Sequence, residues 1–237
     1  MIIFAKPCSC ILLLLLAGCG AFVPTPQPTP TLVPEEQDQS WLTDQPCQAP
    51  CWYGLEPGVS TMQQVVDTVS ELSFIRLEDV YKSEIDVWSY YVNSSIPGSG
   101  LGYGCANPPN DPCVAFSFID DQLHSIILTP NFSITLGEVI EQIGPPDLFA
   151  YARPNAEGKD CDLQVFWGER QLELRIRHVD RRLIGRGVCQ AIREANGRVP
   201  SDLEIDWVFI IPQEDSDAIS GSRAEDFGPW IGLIGGD

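Results

Sequence analysis

Two histidines, scattered carboxylates, a glycine run and nine cysteines are the residues whose types could do chemistry in this chain. Nucleophilic catalysis on a Ser-His-Asp pattern needs a positioned imidazole. His124, between Leu123 and Ser125, and His178 lie on strand-like stretches, and the chain has no Gly-x-Ser-x-Gly elbow, so both are expected to be surface strand residues. The acids Asp120/Asp121, Asp160/Asp162 and Glu214/Asp215/Asp217 are expected in solvated loops. A glycosidase needs two carboxyls at a set separation, and the last group lacks the spacing of a calcium loop. Gly98-Ser99-Gly100-Leu101-Gly102-Tyr103-Gly104 carries no Lys and leads into no helix, so a flexible loop is expected rather than a phosphate cradle. Asp226-Phe227-Gly228 matches a kinase magnesium motif without any companion element. No catalytic residue, metal or cofactor is assigned.

The amino-terminal segment says where the chain works. Ile11 to Leu16 is an unbroken apolar run after a start whose one charged side chain is Lys6, too short to span a bilayer and suited to a signal peptide. It ends in Leu16-Ala17-Gly18-Cys19, which closely resembles the lipobox of bacterial lipoproteins. The resemblance implies diacylglyceryl attachment to the Cys19 thiol, cleavage before it, and an acylated first residue. Acyl chains of this kind hold a protein at a membrane without a transmembrane helix. Between Ala21 and Ser40, Pro24, Pro26, Pro28, Pro30 and Pro34 alternate with threonines before an acidic run. Such a segment favours extended polyproline geometry at about 3.1 Å per residue, a disordered stalk.

Export bears on the cysteines. Cys8 and Cys10 leave with the leader, and besides Cys19 there remain Cys47, Cys51, Cys105, Cys113, Cys161 and Cys189. An even count in an oxidising compartment favours disulfides. Pairing between neighbours is expected, Cys47 with Cys51, Cys105 with Cys113 and Cys161 with Cys189, because the first two pairs close short loops rich in Pro, Gly and Asn. These spacings, with His124 and His178 standing alone, suit zinc poorly.

The charge is −19, with 14 Lys and Arg against 33 Asp and Glu, which argues against a nucleic-acid partner. Seven of the basic residues, Arg175, Arg177, Arg181, Arg182, Arg186, Arg193 and Arg198, fall in one stretch. They are either a face for an anionic partner, such as a glycan, a headgroup or an acidic protein, or a complement to the acids between Asp202 and Asp226. In a strand expected over Asp86 to Val92, Ser89 and Tyr91 take the face opposite Trp88 and Tyr90. Ser89, Tyr91, Arg175, Arg177, Arg181, Arg182 and Arg186 together make the candidate binding surface.

Two segments must position these groups. Thr61-x-x-Gln64 and Thr135-x-x-Glu138 are capping boxes, each followed by apolar residues at helical spacing: Met62, Val65, Val66 and Val69, then Leu136, Val139, Ile140 and Ile143. Gly144-Pro145-Pro146 stops the second helix. Each helix precedes a hairpin, with Val114, Phe116 and Phe118 returning through Leu123, Ile126 and Leu128, and Leu163, Val165 and Trp167 returning through Leu172, Leu174 and Ile176. The expected fold is therefore α+β in two tandem units, each a helix packed on an antiparallel sheet. The boundaries are residues 1–18 for the signal peptide, 19–40 for anchor and linker, 41–129 and 130–212 for the units, and 213–237 for an acidic, Gly-rich tail.

This order is similar to the SmpA/OmlA-type small lipoprotein of outer-membrane barrel assembly and to the β-lactamase inhibitor protein. Pro57-Gly58-Val59-Ser60-Thr61 with Val65, and Ile134-Thr135 with Val139, Gly144, Pro146 and Asp147, carry the resemblance. The segment Cys47-Gln48-Ala49-Pro50-Cys51-Trp52 also looks like uncharacterised bacterial lipoproteins. The resemblance implies non-catalytic binding or envelope assembly on the extracytoplasmic face of a cell or outer membrane, with an envelope protein or anionic glycan as partner. The alternative is an exported, carboxylate-dependent hydrolase acting on glycan.

Overall fold

The computed structural model describes residues 38–89, 94–105, 113–151, 163–176, 198–221 and 228–234. Cys19, Tyr91, Cys161, Arg177, His178, Arg181, Arg182, Arg186 and Cys189 lie outside the described residues, and Ser89 is described by its backbone alone.

Both capping boxes form. The Thr61 hydroxyl accepts from the Gln64 amide while the Gln64 side chain accepts from the Thr61 amide, opening helix α2 at Met62–Glu71. Thr135 and Glu138 do the same for α3, Leu136–Ile143, which Gly144 ends at φ 87°. Each box satisfies two donors that a helix N-terminus would leave bare. Val65 and Val69 of α2 and Leu136 and Val139 of α3 are buried, while Val66, expected on the inner face, is exposed. A four-residue helix, α1, Ser40–Thr43, puts Trp41 and Leu42 into the same core.

The Thr135 box sets up a pH dependence. Hydrogen bonds from the Thr135 amide and hydroxyl hold the Glu138 carboxyl below the ordinary carboxylate range. A carboxyl lowered by folding adds stability that is present above its unfolded value and lost as pH falls through its folded one. Acid titration followed by amide exchange is expected to show the first turn of α3 loosening in that window, and Glu138→Gln should abolish the pH response.

The strands are β1 Ile75–Ser89, β2 Ser94–Cys105, β3 Val114–Ile119, β4 Gln122–Leu128, β5 Leu148–Tyr151, β6 Leu163–Trp167, β7 Leu172–Ile176, β8 Val199–Pro200, β9 Trp207–Ile210, β10 Gly228–Pro229 and β11 Leu233–Ile234. Nine of them form one sheet in the order β1-β2-β3-β4-β9-β7-β6-β5-β10, antiparallel at every pairing. β8 and β11 make a separate two-stranded parallel pair.

This corrects the expected α+β tandem of two helix-on-sheet units. The chain is dominated by one antiparallel sheet with a few short helices. β9 is the reason: it pairs with β4 on one side and β7 on the other. Each hairpin alone would end in a row of open backbone groups, and one strand between them satisfies both. A single apolar cluster accordingly runs from Trp41 and Val65 through Phe116, Ile126 and Val208 to Leu163 and Leu174.

The loop expected at Gly98–Gly104 is also corrected, because those residues lie in β2 and pair with β1 and β3. Leu101, Tyr103 and Cys105 point into the core, so the alternate Gly98, Gly100, Gly102 and Gly104 face the other way. A Cβ on Gly98 would collide with the Phe118 carbonyl, so glycine is required where the two strands draw close.

Two expected disulfides are present. Cys47–Cys51 closes the turn after α1 and Cys105–Cys113 joins the end of β2 to the start of β3, each with Cα atoms 5.7 Å apart. Residues expected as tail form the helix α4, Gln213–Gly221, and strand β10, which pairs with β5.

Candidate functional site

The sheet has two faces. Helices α2 and α3 cover the first, and α4 packs on the second through a smaller cluster of Ala150, Phe166, Ile211 and Ile219. A bulge decides which polar groups join α4 there. On β3 and β4, Ser117 opposes Ser125 and Phe118 opposes Leu123, leaving His124 as an extra residue. In a regular strand Leu123 and Ser125 would share a face. With the extra residue, Leu123 stays in the core while His124 and Ser125 line the second face with Ser117.

The second face holds a cleft of about 200 Å³. Ser117, His124 and Ser125 form one wall. Glu173 and Arg175 of β7, Phe209 of β9 and Asp215 of α4 form another, and Ile85, Asp86 and Val87 of β1 close it. In a flat sheet β1 would lie five strand spacings from β7, about 24 Å, so the sheet must coil strongly to bring both to one cleft.

Its polar groups are tied to one another. His124 Nε2 is 3.2 Å from Asp215 Oδ2, with 6% and 1% of the side chains exposed. Arg175 Nε lies 2.5 Å from Glu173 Oε1, with Glu173 fully buried. The Arg175 guanidinium lies over the Phe209 ring, 4.1 Å from its centroid. The Ser117 and Ser125 hydroxyls are 2.6 Å apart. Paired charges are the condition on which ionised groups persist away from water.

Several expectations change. His124 is a buried residue facing Asp215 and not a surface strand residue, and Asp215 is a buried helix residue and not a solvated loop acid. Arg175 alone of the candidate arginines on the binding surface is described, and Glu173 on its own strand neutralises it. Glu173 belongs to the cleft although no motif marks it; its position between the inward Leu172 and Leu174 is the sequence signal that it faces the other layer.

Among the described residues, no group of three or more His, Cys, Asp or Glu could hold a metal ion, and no helix is long and apolar enough to cross a membrane. The fold and cleft define an antiparallel-sheet protein with a buried polar cleft on one face. No family model, curated protein or solved structure matches the chain.

Proposed function

We propose that this is an extracytoplasmic bacterial lipoprotein, anchored through lipid on Cys19, that binds a small polar ligand in the second-face cleft without transforming it. The observation that carries the reading is the convergence on one cleft of the Glu173–Arg175 ion pair, the close buried pair His124 and Asp215, and two serine hydroxyls. Buried polar groups cost stability unless satisfied, and a ligand site is the usual reason for several to share a cavity. The cleft is lined by the acidic residues Asp86, Glu173 and Asp215 and by one guanidinium, Arg175, a balance that suits hydroxyl-rich or cationic ligands and disfavours anions. An envelope protein bearing such a group fits the same role.

The carboxylates also support a second reading, a hydrolase acting on glycan. Binding is preferred because both carboxyls are already engaged by neighbouring side chains, Glu173 by Arg175 and Asp215 by His124, whereas a glycosidase needs its two carboxyls turned to the scissile bond.

Thermal shift against glucosamine, glucose and glucuronate tests the cleft. Saturable stabilisation is expected from the first two and none from the third, rising to about 2.7 kcal/mol at a hundredfold excess over Kd. Ser117→Ala with Ser125→Ala, which removes both hydroxyls of the pair at little cost to folding, should abolish it. No stabilisation by any of the three, or stabilisation indifferent to the double replacement, would defeat the binding reading. Cleavage of a glycosidic bond in an oligosaccharide, yielding two shorter sugars and consuming one water, that is lost in Glu173→Gln would instead favour the hydrolase. For the anchor, mass spectrometry should find acyl chains on an amino-terminal Cys19, and Cys19→Ser should move the protein from the membrane to the soluble fraction.

A further inference from the structure

The two ends of the nine-stranded sheet are built differently. β10 is a two-residue strand containing Pro229, which blunts that edge. β1 at the other end has 15 residues, and among the described residues nothing pairs with its outer side. Of the large apolar side chains exposed in the described residues, Leu77, Val80, Tyr81 and Ile85 all sit on this strand, at 48%, 45%, 53% and 36% exposure. A long apolar edge is a template for another strand. Its straight portion begins at Val80, after the register shift that follows Arg76.

We propose that the occupant of this edge is a second copy of the chain, paired antiparallel through Tyr81–Ile85 about a twofold axis at Ser83. In that register Tyr81 meets Ile85 of the second copy and Lys82 meets Glu84 of the second copy, each contact occurring twice. Tyr81, Ser83 and Ile85 lie on one face of the strand and Lys82 and Glu84 on the other, so apolar groups meet on one side and opposite charges on the other. Such cross-strand pairs are the stabilising unit of a sheet. Neighbouring registers fail. Centring the axis on Glu84 sets Glu84 against itself, and centring it on Lys82 does the same to that ammonium. A parallel in-register pairing stacks both like charges. Of the three axes, on Lys82, Ser83 and Glu84, the one on Ser83 opposes no like charges and leaves the surface self-complementary, as an isologous dimer requires. Because Ile85, Asp86 and Val87 also line the cleft, the axis would place two clefts on one face of a continuous sheet.

The test uses the full chain purified in detergent. Ser83→Cys is expected to form an intermolecular disulfide under mild oxidation, since directly opposed strand residues have Cα atoms about 4.5–5.5 Å apart. Ser70→Cys, exposed on α2, should not. Sedimentation should show a dimer, with Lys82→Glu or Glu84→Lys each weakening association on the order of tenfold and the double exchange restoring it. These side chains are exposed, so the fold should tolerate each change. A monomer up to the solubility limit, equal crosslinking of the two cysteine variants, single reversals without effect, or failure of the double exchange to rescue would each overturn the proposal.

Discussion

Arg175→Ala is expected to be among the most destabilising single changes in the polar layer, about 3–5 kcal/mol, because it strips a buried carboxylate of its cation. The effect should be asymmetric. Glu173 has no exposed surface and Arg175 is 31% exposed, so on loss of this pairing the guanidinium can turn toward water while the carboxylate cannot. Glu173→Gln should therefore cost less, about 1–2 kcal/mol. Replacing both by leucine should recover most of the loss, since a buried pair exchanged for apolar groups of similar volume is often neutral or stabilising. Arg175 also rests on Phe209, and Phe209→Leu removes that contact while sparing the ion pair. Urea denaturation with unchanged slope would measure all four variants. If Arg175→Ala proved no worse than Glu173→Gln, the pair would not be bearing the desolvation cost assigned to it.

The elements that could be read from the sequence are those whose causes are local. Thr61 with Gln64 and Thr135 with Glu138 announce their helices within four residues, and both boxes form. Asp120 and Asp121, at φ 50° and 66°, make the tight turn that Asx residues tolerate. What could not be read depends on distant partners. Trp207 to Ile211 is a short apolar run in the sequence, and only its ladders to β4 and β7 turn two expected units into one sheet. Gly98 to Gly104 has loop composition, yet Ile85 and Val87 of the neighbouring strand lie over Gly100 and Gly98 and make a strand of it. One part of the site was readable. Leu123, Ile126 and Leu128 are all core residues, and the odd step from 123 to 126 cannot occur in a regular strand. That step marks the bulge that turns His124 and Ser125 into the cleft.

Asp215→Ala should have a comparably large effect, by a different route. Asp215 is the group through which α4 grips β4, and its side chain is 1% exposed against His124 at 6%. Its loss takes away the carboxyl 3.2 Å from a buried imidazole and leaves a small void, at about 3 kcal/mol. Ser216, one residue on, donates its hydroxyl to the Gly168 carbonyl at 3.0 Å, an ordinary bond whose loss in Ser216→Ala should cost about 1 kcal/mol. The contrast makes the expectation specific, because both changes lie on the same turn of the same helix. The damage should also be local. Ile219 and the Gln171–Gln213 hydrogen bond still hold α4, so amide exchange in Asp215→Ala should rise most in residues 213–221 and much less in the central strands. Asp215→Asn, which keeps a hydrogen-bond acceptor, should retain at least half of the stability lost in the alanine variant. Equal effects of Asp215→Ala and Ser216→Ala would mean that the helix is held by its apolar side alone. Because His124 and Asp215 stand on separate elements of the cleft, loosening one from the other should weaken glucosamine binding at temperatures where Asp215→Ala remains folded, tying the stability of α4 to occupancy of the site.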